Sequence, residues 1–348
     1  MWRTFGRESW VLGIGVVLAL STANQAGSIE RIGLERRFTL EVERLGAELD
    51  RRLDGLAAGL VLLQRASGLR GGLSRAEFAQ LGAALRTDHP YVEEVAFYPV
   101  VEPEARPRWL ARVREEIGPE FGLRDADGRE VEADRTLRPL LHRSPEPAPE
   151  ALGRHRGEDP VFDHVARQVT RSGRVGALPT ETKLRRDGSA GTSGVLLAAV
   201  YAPGSAPFVE VGRVRGVRGH LVLRFDADRL LDAVLGGPDA GARFRIFAEP
   251  ARRLVAGTVP RQGEVLTVDR PLAHPAEEWR LVGAAREDWF DAREGWGPTG
   301  RGLAVIVASG IAALGLRRRR RELVSPAQDT ASSFDASAPE RSRPASSV

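Results

Sequence analysis

The sequence predicts an α+β protein in which one extracytoplasmic domain lies between two transmembrane helices. Three observations lead to this prediction. Apolar runs lie near both ends of the chain, within residues 10–26 and 296–316. A long amphipathic helical pattern follows the first run, and strand-like segments alternate with short helical patterns in the rest of the chain. Strands that alternate with helices in this way are typical of α+β domains.

The second apolar run, Gly302 to Leu316, contains fifteen uncharged residues and is followed at once by five arginines, Arg317 to Arg321. A hydrocarbon core of about 30 Å needs roughly 20 apolar helical residues, so the predicted span begins at Trp296. A buried core helix is the alternative, but it would place five consecutive arginines against its own end. Arginines directly after a span mark the cytoplasmic side, which makes residues 317–348 a cytoplasmic basic anchor and disordered tail.

The first apolar run follows Arg3 and Arg7, which predicts a cytoplasmic N-terminus at residues 1–9 and a transmembrane helix at residues 10–26. A cleaved signal peptide is the alternative, because Ser21 and Ala23 fit the small-residue rule for cleavage. The helical pattern that continues from the run favours retention. With both termini cytoplasmic, we expect a multi-pass protein of the inner membrane whose main domain is periplasmic.

Residues 27–66 are predicted to form a long stalk helix. Apolar residues recur there at intervals of three and four, at Leu34, Phe38, Val42, Leu45, Leu49, Leu53, Leu56, Leu60 and Leu63. This stripe suits either a homodimer seam or packing on the same chain. A glycine-rich turn then ends the helix, and Ser74 with Glu77 has the spacing of a capping box for a second helix.

The central part of the chain combines predicted strands with helices. Segments rich in β-branched and aromatic residues predict strands at residues 91–101, 194–201, 219–225, 243–248, 264–268 and 279–285. Helical patterns lie at residues 106–117, 160–171 and 226–235. A strand and a turn are expected around Asp125 to Gly128, and a polar loop is expected between the strands that end at Tyr201 and begin at Gly219.

Composition and motifs argue against catalysis and metal binding in this chain. Lysine and arginine total 51 against 47 acidic residues, so no strongly basic face for nucleic acid is expected. The chain has no cysteine, which excludes disulfides and thiolate chemistry. Its six histidines lack metal-ligand spacing and are expected at scattered surface positions. Ser193, in "GTSG", lacks a nucleophile elbow and is expected in a hairpin loop. We therefore expect no catalytic residue, metal, cofactor or enzyme activity.

Six short segments stand in the order found in one known family. They are "VAFYPVV", "RWLARVREEIG", "RPLLHRSPEPAPEALG", "EDPVFDHVARQVTRSG", "SGVLLAAVY" and "RGHLVLRFDADRLL". The block from Phe78 to Leu235 thus resembles a CHASE domain, the extracytoplasmic sensory module of histidine kinases and diguanylate cyclases. The resemblance implies a stalk helix that carries two PAS-like antiparallel sheets. Residues 67–240 would form the membrane-distal sensor that holds the ligand, and residues 241–295 the membrane-proximal part.

The resemblance also implies four ligand-binding residues. Phe97, His155 and Tyr201 could contact or stack on a ligand, and Gly219 would let a backbone approach it. Core packing of the sheet explains each of them equally well. His155 stands where cytokinin-binding members of the family carry an aspartate that contacts the purine. An imidazole has different hydrogen-bonding groups, so recognition of a purine in that way is not expected.

Two hypotheses about function follow from the sequence. In the first, the chain is a membrane-anchored sensor module for an unknown small ligand. Residues 317–348 are too few for a kinase or cyclase domain, so the signal would pass to a separate histidine kinase or diguanylate cyclase, or through a homodimer. In the second, the chain is a structural or interaction protein, a truncated sensor that dimerises with or titrates a full-length homologue.

Overall fold

The computed structural model describes residues 5–69, 72–125, 127–131, 134–156, 159–184, 190–204, 209–236, 242–249, 252–258, 263–273, 278–286 and 289. The chain divides into two compact units. One contains residues 37–289, and the other contains residues 1–36 together with residues 290–348. The predicted second transmembrane helix at residues 296–316 and the tail at residues 317–348 lie outside the described residues.

The first helix, α1, runs from Phe5 to Leu69 and confirms the predicted long N-terminal helix. The apolar stripe predicted for the stalk is buried from Phe38 to Leu63. In the part of the chain that the structure describes, no helix is both long enough and apolar enough to cross a membrane.

A five-stranded antiparallel sheet follows α1, with the strand order β2-β1-β5-β4-β3. Its strands are β1 (Val92–Pro99), β2 (His142–Ser144), β3 (Gly176–Leu184), β4 (Ala190–Tyr201) and β5 (Val217–Asp226). The helices in this part are α2 (Arg75–Asp88), α3 (Arg106–Ile117), α4 (Pro160–Ser172), α5 (Glu210–Gly216) and α6 (Ala227–Leu235). Two short 3-10 helices lie at Pro103–Ala105 and Pro149–Ala151.

A second antiparallel sheet has four strands in the order β7-β6-β9-β8. They are β6 (Ala242–Ala248), β7 (Arg253–Gly257), β8 (Glu264–Leu272) and β9 (Trp279–Arg286). The helix α1 packs on this sheet through Phe38, whose ring lies 6.2 Å from that of Phe244 and 5.1 Å from that of Trp289. An α+β fold with a long helix and two antiparallel sheets is thus confirmed.

Alternation along β1 gives the five-stranded sheet two differently covered faces, since successive side chains of a strand point to opposite sides. Ala96 lies on the face that α4 covers, in a buried cluster with Leu197, Val222 and Phe162. Phe97 lies on the opposite face, beside His142 of the neighbouring strand, and α2 places the Phe78 ring against the same imidazole. The last turns of α1 also reach the sheet, where the Gln64 side chain donates to the Ala199 carbonyl at 2.5 Å.

Local capping explains why two of the predicted helices begin where they do. The Ser74 hydroxyl accepts from the Glu77 N–H at 3.3 Å, and the Glu77 carboxylate accepts from the Ser74 N–H at 3.0 Å, which confirms the capping box of α2. Asp159 caps α4 by accepting from the backbone N–H groups of Val161 and Phe162. Gly173 ends α4 with a φ of 72°, a conformation that favours glycine.

Several expectations about local structure were wrong. Ser193 lies inside β4 rather than in a hairpin loop, and its buried hydroxyl donates to Glu93 at 2.8 Å. The expected loop between β4 and β5 contains α5. Instead of the expected strand next to the turn at Asp125, the described residues there make an isolated bridge between Arg124 and Glu130. His142, His155 and His220 are buried rather than exposed, since His142 and His220 lie in paired strands and His155 forms a bridge with Pro139.

Candidate functional site

A cavity of about 380 Å³ lies at one end of the five-stranded sheet. Its walls come from the last turn of α1, the start of α2, the helix α3 and the ends of three strands. The strand ends contribute Pro99 of β1, Tyr201 of β4 and Arg218 of β5. Segments far apart in the sequence thus enclose one space, which has the size of a small-molecule site.

Aromatic rings form much of the cavity wall. The Phe97 ring stacks on the His142 imidazole with 6.2 Å between ring centroids, and the Phe78 ring is tilted against the same imidazole with 5.5 Å between centroids. Trp109 of α3 and Tyr201 also line the cavity. The Tyr201 hydroxyl donates to the Thr170 carbonyl at 3.0 Å, so this side chain is held in place by α4.

His142 is the most buried polar residue that lines the cavity. It is 4% exposed, and its Nδ1 has no hydrogen-bond partner in the part of the chain that the structure describes. Burial lowers the pKa of His142, and the charge of Arg75 lowers it further, whereas Glu116 and a hydrogen bond with the Leu73 backbone raise it. Since burial is the largest of these causes, the imidazole is neutral at pH 7.

Three charged side chains stand at the cavity, Arg112 and Glu116 on α3 and Arg218 on β5. All three are exposed to solvent on part of their surface. Neither Arg112 nor Arg218 has an ion-pair partner among the described residues. Glu116 accepts a long hydrogen bond of 3.4 Å from the backbone N–H of Arg75. The cavity therefore has an apolar interior, and the two arginines and one glutamate at its opening carry one net positive charge.

The structure brings three of the four predicted ligand-binding residues together. Phe97 and Tyr201 line the cavity. Gly219 pairs with Pro99 in the sheet, and a Cβ there would lie 2.6 Å from the Phe97 ring. Real Cβ atoms do not approach so closely, so the role that the structure gives Gly219 is to make room for the Phe97 ring.

His155 lies apart from the other three residues. It forms a bridge with Pro139, and its Nδ1 accepts from the backbone N–H of Arg138 at 3.0 Å. Burial lowers the pKa of His155, and the nearby charges of Arg135 and Arg138 lower it as well. The adjoining face of the sheet is filled by the chain itself, since the Arg156 guanidinium lies 4.4 Å from the centre of the Phe162 ring and 5.8 Å from that of Tyr98.

Sequence reasoning missed Arg112, His142 and Arg218. Arg112 belongs to an arginine-rich helix, and Arg218 lies at the end of a strand. Nothing in the sequence around either residue distinguishes it from an ordinary surface arginine. His142 lies in β2, a strand of three residues that is too short for a periodic pattern. Among the described residues, no group of three histidine, aspartate or glutamate side chains is placed to hold a metal ion.

Comparison with known families identifies the domain that contains this cavity. The model of the CHASE domain family matches residues 71–263, more than half of the 348-residue chain. The chain belongs to the CHASE domain family. CHASE domains are extracytoplasmic, sensory and non-catalytic. The match contains the complete five-stranded sheet and every residue that lines the cavity except Ser67 of α1.

Solved structures with distant similarity are sensory domains. The extracellular domain of soHK1S-Z6, assigned to a histidine kinase, has 12% identity and a TM-score of 0.42, with 76% of this chain and 97% of that chain covered. The ligand-binding domain of the Campylobacter jejuni chemoreceptor Tlp3, in complex with L-valine, has 9% identity and a TM-score of 0.40 at the same coverage. No curated protein sequence matches the chain. Membership of the CHASE family rests on the sequence match rather than on these similarities.

Proposed function

We propose that this chain is a membrane-anchored extracytoplasmic sensor that binds a small ligand in the cavity at the end of its five-stranded sheet. The observation that carries the proposal is a partly open cavity of about 380 Å³ whose lining, apart from Ser67, belongs to the matched CHASE region. Its wall contains aromatic residues and a buried His142 whose Nδ1 has no hydrogen-bond partner among the described residues. Small-molecule sites combine this size and apolar lining with a few polar groups. Phe97 and Tyr201 contact the ligand, and Gly219 positions Phe97.

His155 has a different place in this proposal. It does not line the cavity, and its ring nitrogen is already used by the Arg138 backbone. A contribution of His155 to ligand binding would need a second site on the face of the sheet that α4 covers. The proposal therefore assigns the first ligand contact to Phe97, Tyr201 and the polar groups of the cavity.

The cavity also connects the ligand to the stalk. Ser67 in the last turn of α1 lines it, and so do Leu73 and Ser74 before α2. A ligand there contacts both the end of α1 and the strand ends, so its binding energy can favour one position of α1 over another. Transfer of the signal to a separate histidine kinase or diguanylate cyclase stays a prediction.

Ligand binding can be tested by thermal unfolding of the full-length chain in mild detergent, against nucleobases, small acids and amines. At a hundredfold excess over Kd, a true ligand stabilises by about 2.7 kcal/mol, which raises the Tm by roughly 5 °C or more. Trp109→Ala should reduce the shift, because Trp109 lines the cavity. The matched control is Leu110→Ala on the same helix. If no compound raises the Tm, the proposed sensing function is wrong.

Membrane anchorage is supported by the sequence from Gly302 to Arg321 and by the extracytoplasmic nature of CHASE domains. The full-length chain should sediment with inner membranes and resist extraction with high salt. Alkaline phosphatase fused after Arg321 should be inactive, since that position is predicted to be cytoplasmic. An active fusion there would overturn the proposed orientation, and a fusion after Gly236 serves as the positive control.

A second candidate function is that of an interaction protein that pairs through α1. Leu40 and Leu62 are 68% and 66% exposed on this helix, and burying them against a second copy of α1 would stabilise a dimer. Pull-down from membranes separates the two functions. Recovery of the chain alone, with no kinase or cyclase, would favour the interaction protein.

A further inference from the structure

We infer that the cavity takes a small organic monoanion, a carboxylate on an apolar body that also carries a hydrogen-bond donor. The inference rests on the proposed ligand-binding function and names the chemical class of the ligand. It draws on three groups of side chains at the cavity, which are the arginines at its mouth, the buried imidazole in its wall and the aromatic rings around it.

The preference for an anion follows from Arg112 and Arg218. Neither guanidinium has an ion-pair partner among the described residues, although other arginines on nearby elements are paired. Arg75 pairs with Glu146, and Arg143 pairs with Glu94 at 2.7 Å. A guanidinium matches the planar geometry of a carboxylate and binds it through two parallel hydrogen bonds.

Glu116 sets the charge of the ligand. It lies one turn after Arg112 on α3 and lines the same cavity, so two guanidinium groups and one carboxylate leave one net positive charge. His142 adds no charge, because burial lowers its pKa and keeps the ring neutral at pH 7. One net positive charge suits a monoanion, whereas a nucleotide or a tricarboxylate would bring more negative charge than the cavity compensates.

The hydrogen-bond donor follows from His142. The ring bonds the Leu73 backbone, and Nδ1 is the nitrogen without a partner. In a neutral imidazole that donates through Nε2, Nδ1 can only accept. A buried acceptor without a partner is unfavourable. Neighbouring atoms cover Nδ1, so a ligand O–H or N–H reaches it after these side chains shift, and the new hydrogen bond removes the penalty. The stacked rings of Phe78 and Phe97 hold the imidazole in its orientation.

The apolar body of the ligand follows from the remaining wall. Phe97, Trp109 and Tyr201 line a space of about 380 Å³. Aromatic rings favour offset or edge contacts with another flat apolar group. Ring-bearing carboxylic acids with a hydroxyl group, such as the hydroxybenzoates, therefore combine all the features that the cavity recognises.

The test compares matched ligands on the full-length chain by isothermal titration calorimetry. The probes are 3- and 4-hydroxybenzoate, 4-hydroxyphenylacetate, the corresponding amides, and benzoate and phenylacetate without the hydroxyl group. Each acid should bind at least tenfold more tightly than its amide, because the amide lacks the charge that Arg112 and Arg218 bind. Each hydroxylated acid should bind severalfold more tightly than its parent acid, because the parent has no donor for His142.

Variants test which side chains cause the preference for an acid and the preference for a hydroxyl group. R112Q and R218Q should each weaken the acids about tenfold and bring them close to the amides. Both side chains are exposed, so neither variant threatens folding. R108Q is the matched control, since Arg108 is exposed on α3 and does not line the cavity. H142F keeps an aromatic ring beside Phe78 and Phe97 but should abolish the advantage of the hydroxylated acids.

The outcomes separate this inference from the proposed function. Amides that bind as tightly as acids would overturn the assigned ligand class, as would acids whose binding R112Q and R218Q leave unchanged. If none of the acids binds but a neutral or cationic compound raises the Tm in the broader set, the sensor function stands and the monoanion is wrong. If no compound of any class binds, both proposals fail.

Discussion

The buried histidines show how much one residue depends on its neighbours in the fold. His220 of β5 is 2% exposed and packs against α4. Its Nε2 lies 3.1 Å from the Thr170 hydroxyl, and its ring lies 6.2 Å from that of Phe162. Its Nδ1 has no hydrogen-bond partner. The pKa of His220 is lowered to about 3, chiefly by burial and also by the charge of Arg138, against a backbone hydrogen bond with Ala166 that raises it.

This shift predicts how stability changes with pH. In the unfolded chain, the pKa of His220 returns to about 6.5. Above pH 6.5 the imidazole is neutral in both states and has no effect. As the pH falls below 6.5, only the unfolded state binds the proton, so the free energy of unfolding decreases, by about 2 kcal/mol between pH 7 and pH 5.

Urea unfolding of His220→Gln at pH 7 and pH 5 measures this effect. The variant should lose about 2 kcal/mol less than the parent chain between the two pH values, because a glutamine does not titrate. His164→Gln is the matched control, since His164 is exposed on the adjoining helix. Equal losses in His220→Gln and in the parent chain would contradict the assignment.

At the scale of elements, α1 packs closely on the four-stranded sheet where a glycine allows it. Arg270 of β8 lies across Gly46, donating from Nε to Glu43 at 2.8 Å and from Nη2 to Asp50 at 2.9 Å. A Cβ on Gly46 would lie 2.5 Å from the Cδ atom of Arg270. The glycine therefore lets one arginine bind acidic residues on both sides of it.

Gly46→Val should break this contact between elements. The new side chain displaces Arg270 from Glu43 and Asp50, and we expect the variant to lose about 1 to 3 kcal/mol of stability. Gly33→Val on the same helix is the matched control, because no atom lies within 4 Å of a Cβ there. Thermal unfolding compares the two, and equal Tm values would show that Arg270 adapts without loss.

At the scale of the whole molecule, the two sheets belong to one compact unit, residues 37–289. Phe225 of the five-stranded sheet lies 6.2 Å from Trp279 of the four-stranded sheet, and Trp279 is completely buried. Arg253 donates to the Thr180 carbonyl at 2.8 Å, which joins β7 to β3. Because the sheets share buried contacts, neither should unfold without the other.

Scanning calorimetry of the full-length chain should therefore show one transition for both sheets, with equal calorimetric and van't Hoff enthalpies. Trp279→Ala should lower that single transition and cost about 3 to 5 kcal/mol. Trp109→Ala removes the same kind of side chain from a partly exposed position and should cost less. Two separate transitions in the parent chain would mean that the sheets are independent.

The sequence by itself determined the elements whose causes are local. The stripe of α1, the capping box of Ser74 and Glu77, and the Asp159 cap and Gly173 end of α4 all depend on residues within one or two turns. The resemblance to CHASE domains was also detectable in the sequence, because six short segments stand in the order found in that family. It predicted Phe97, His155, Tyr201 and Gly219 as ligand-binding residues, of which Phe97 and Tyr201 line the cavity.

Only the tertiary structure decided the rest. The strand β2 has three residues and exists because it pairs with β1, and α5 formed where a loop was expected. Arg112, His142 and Arg218 come from three distant segments, so no spacing in the sequence relates them. Burial and pairing depend on which segments meet in space, and that is why the polar groups of the cavity became visible only in the folded chain.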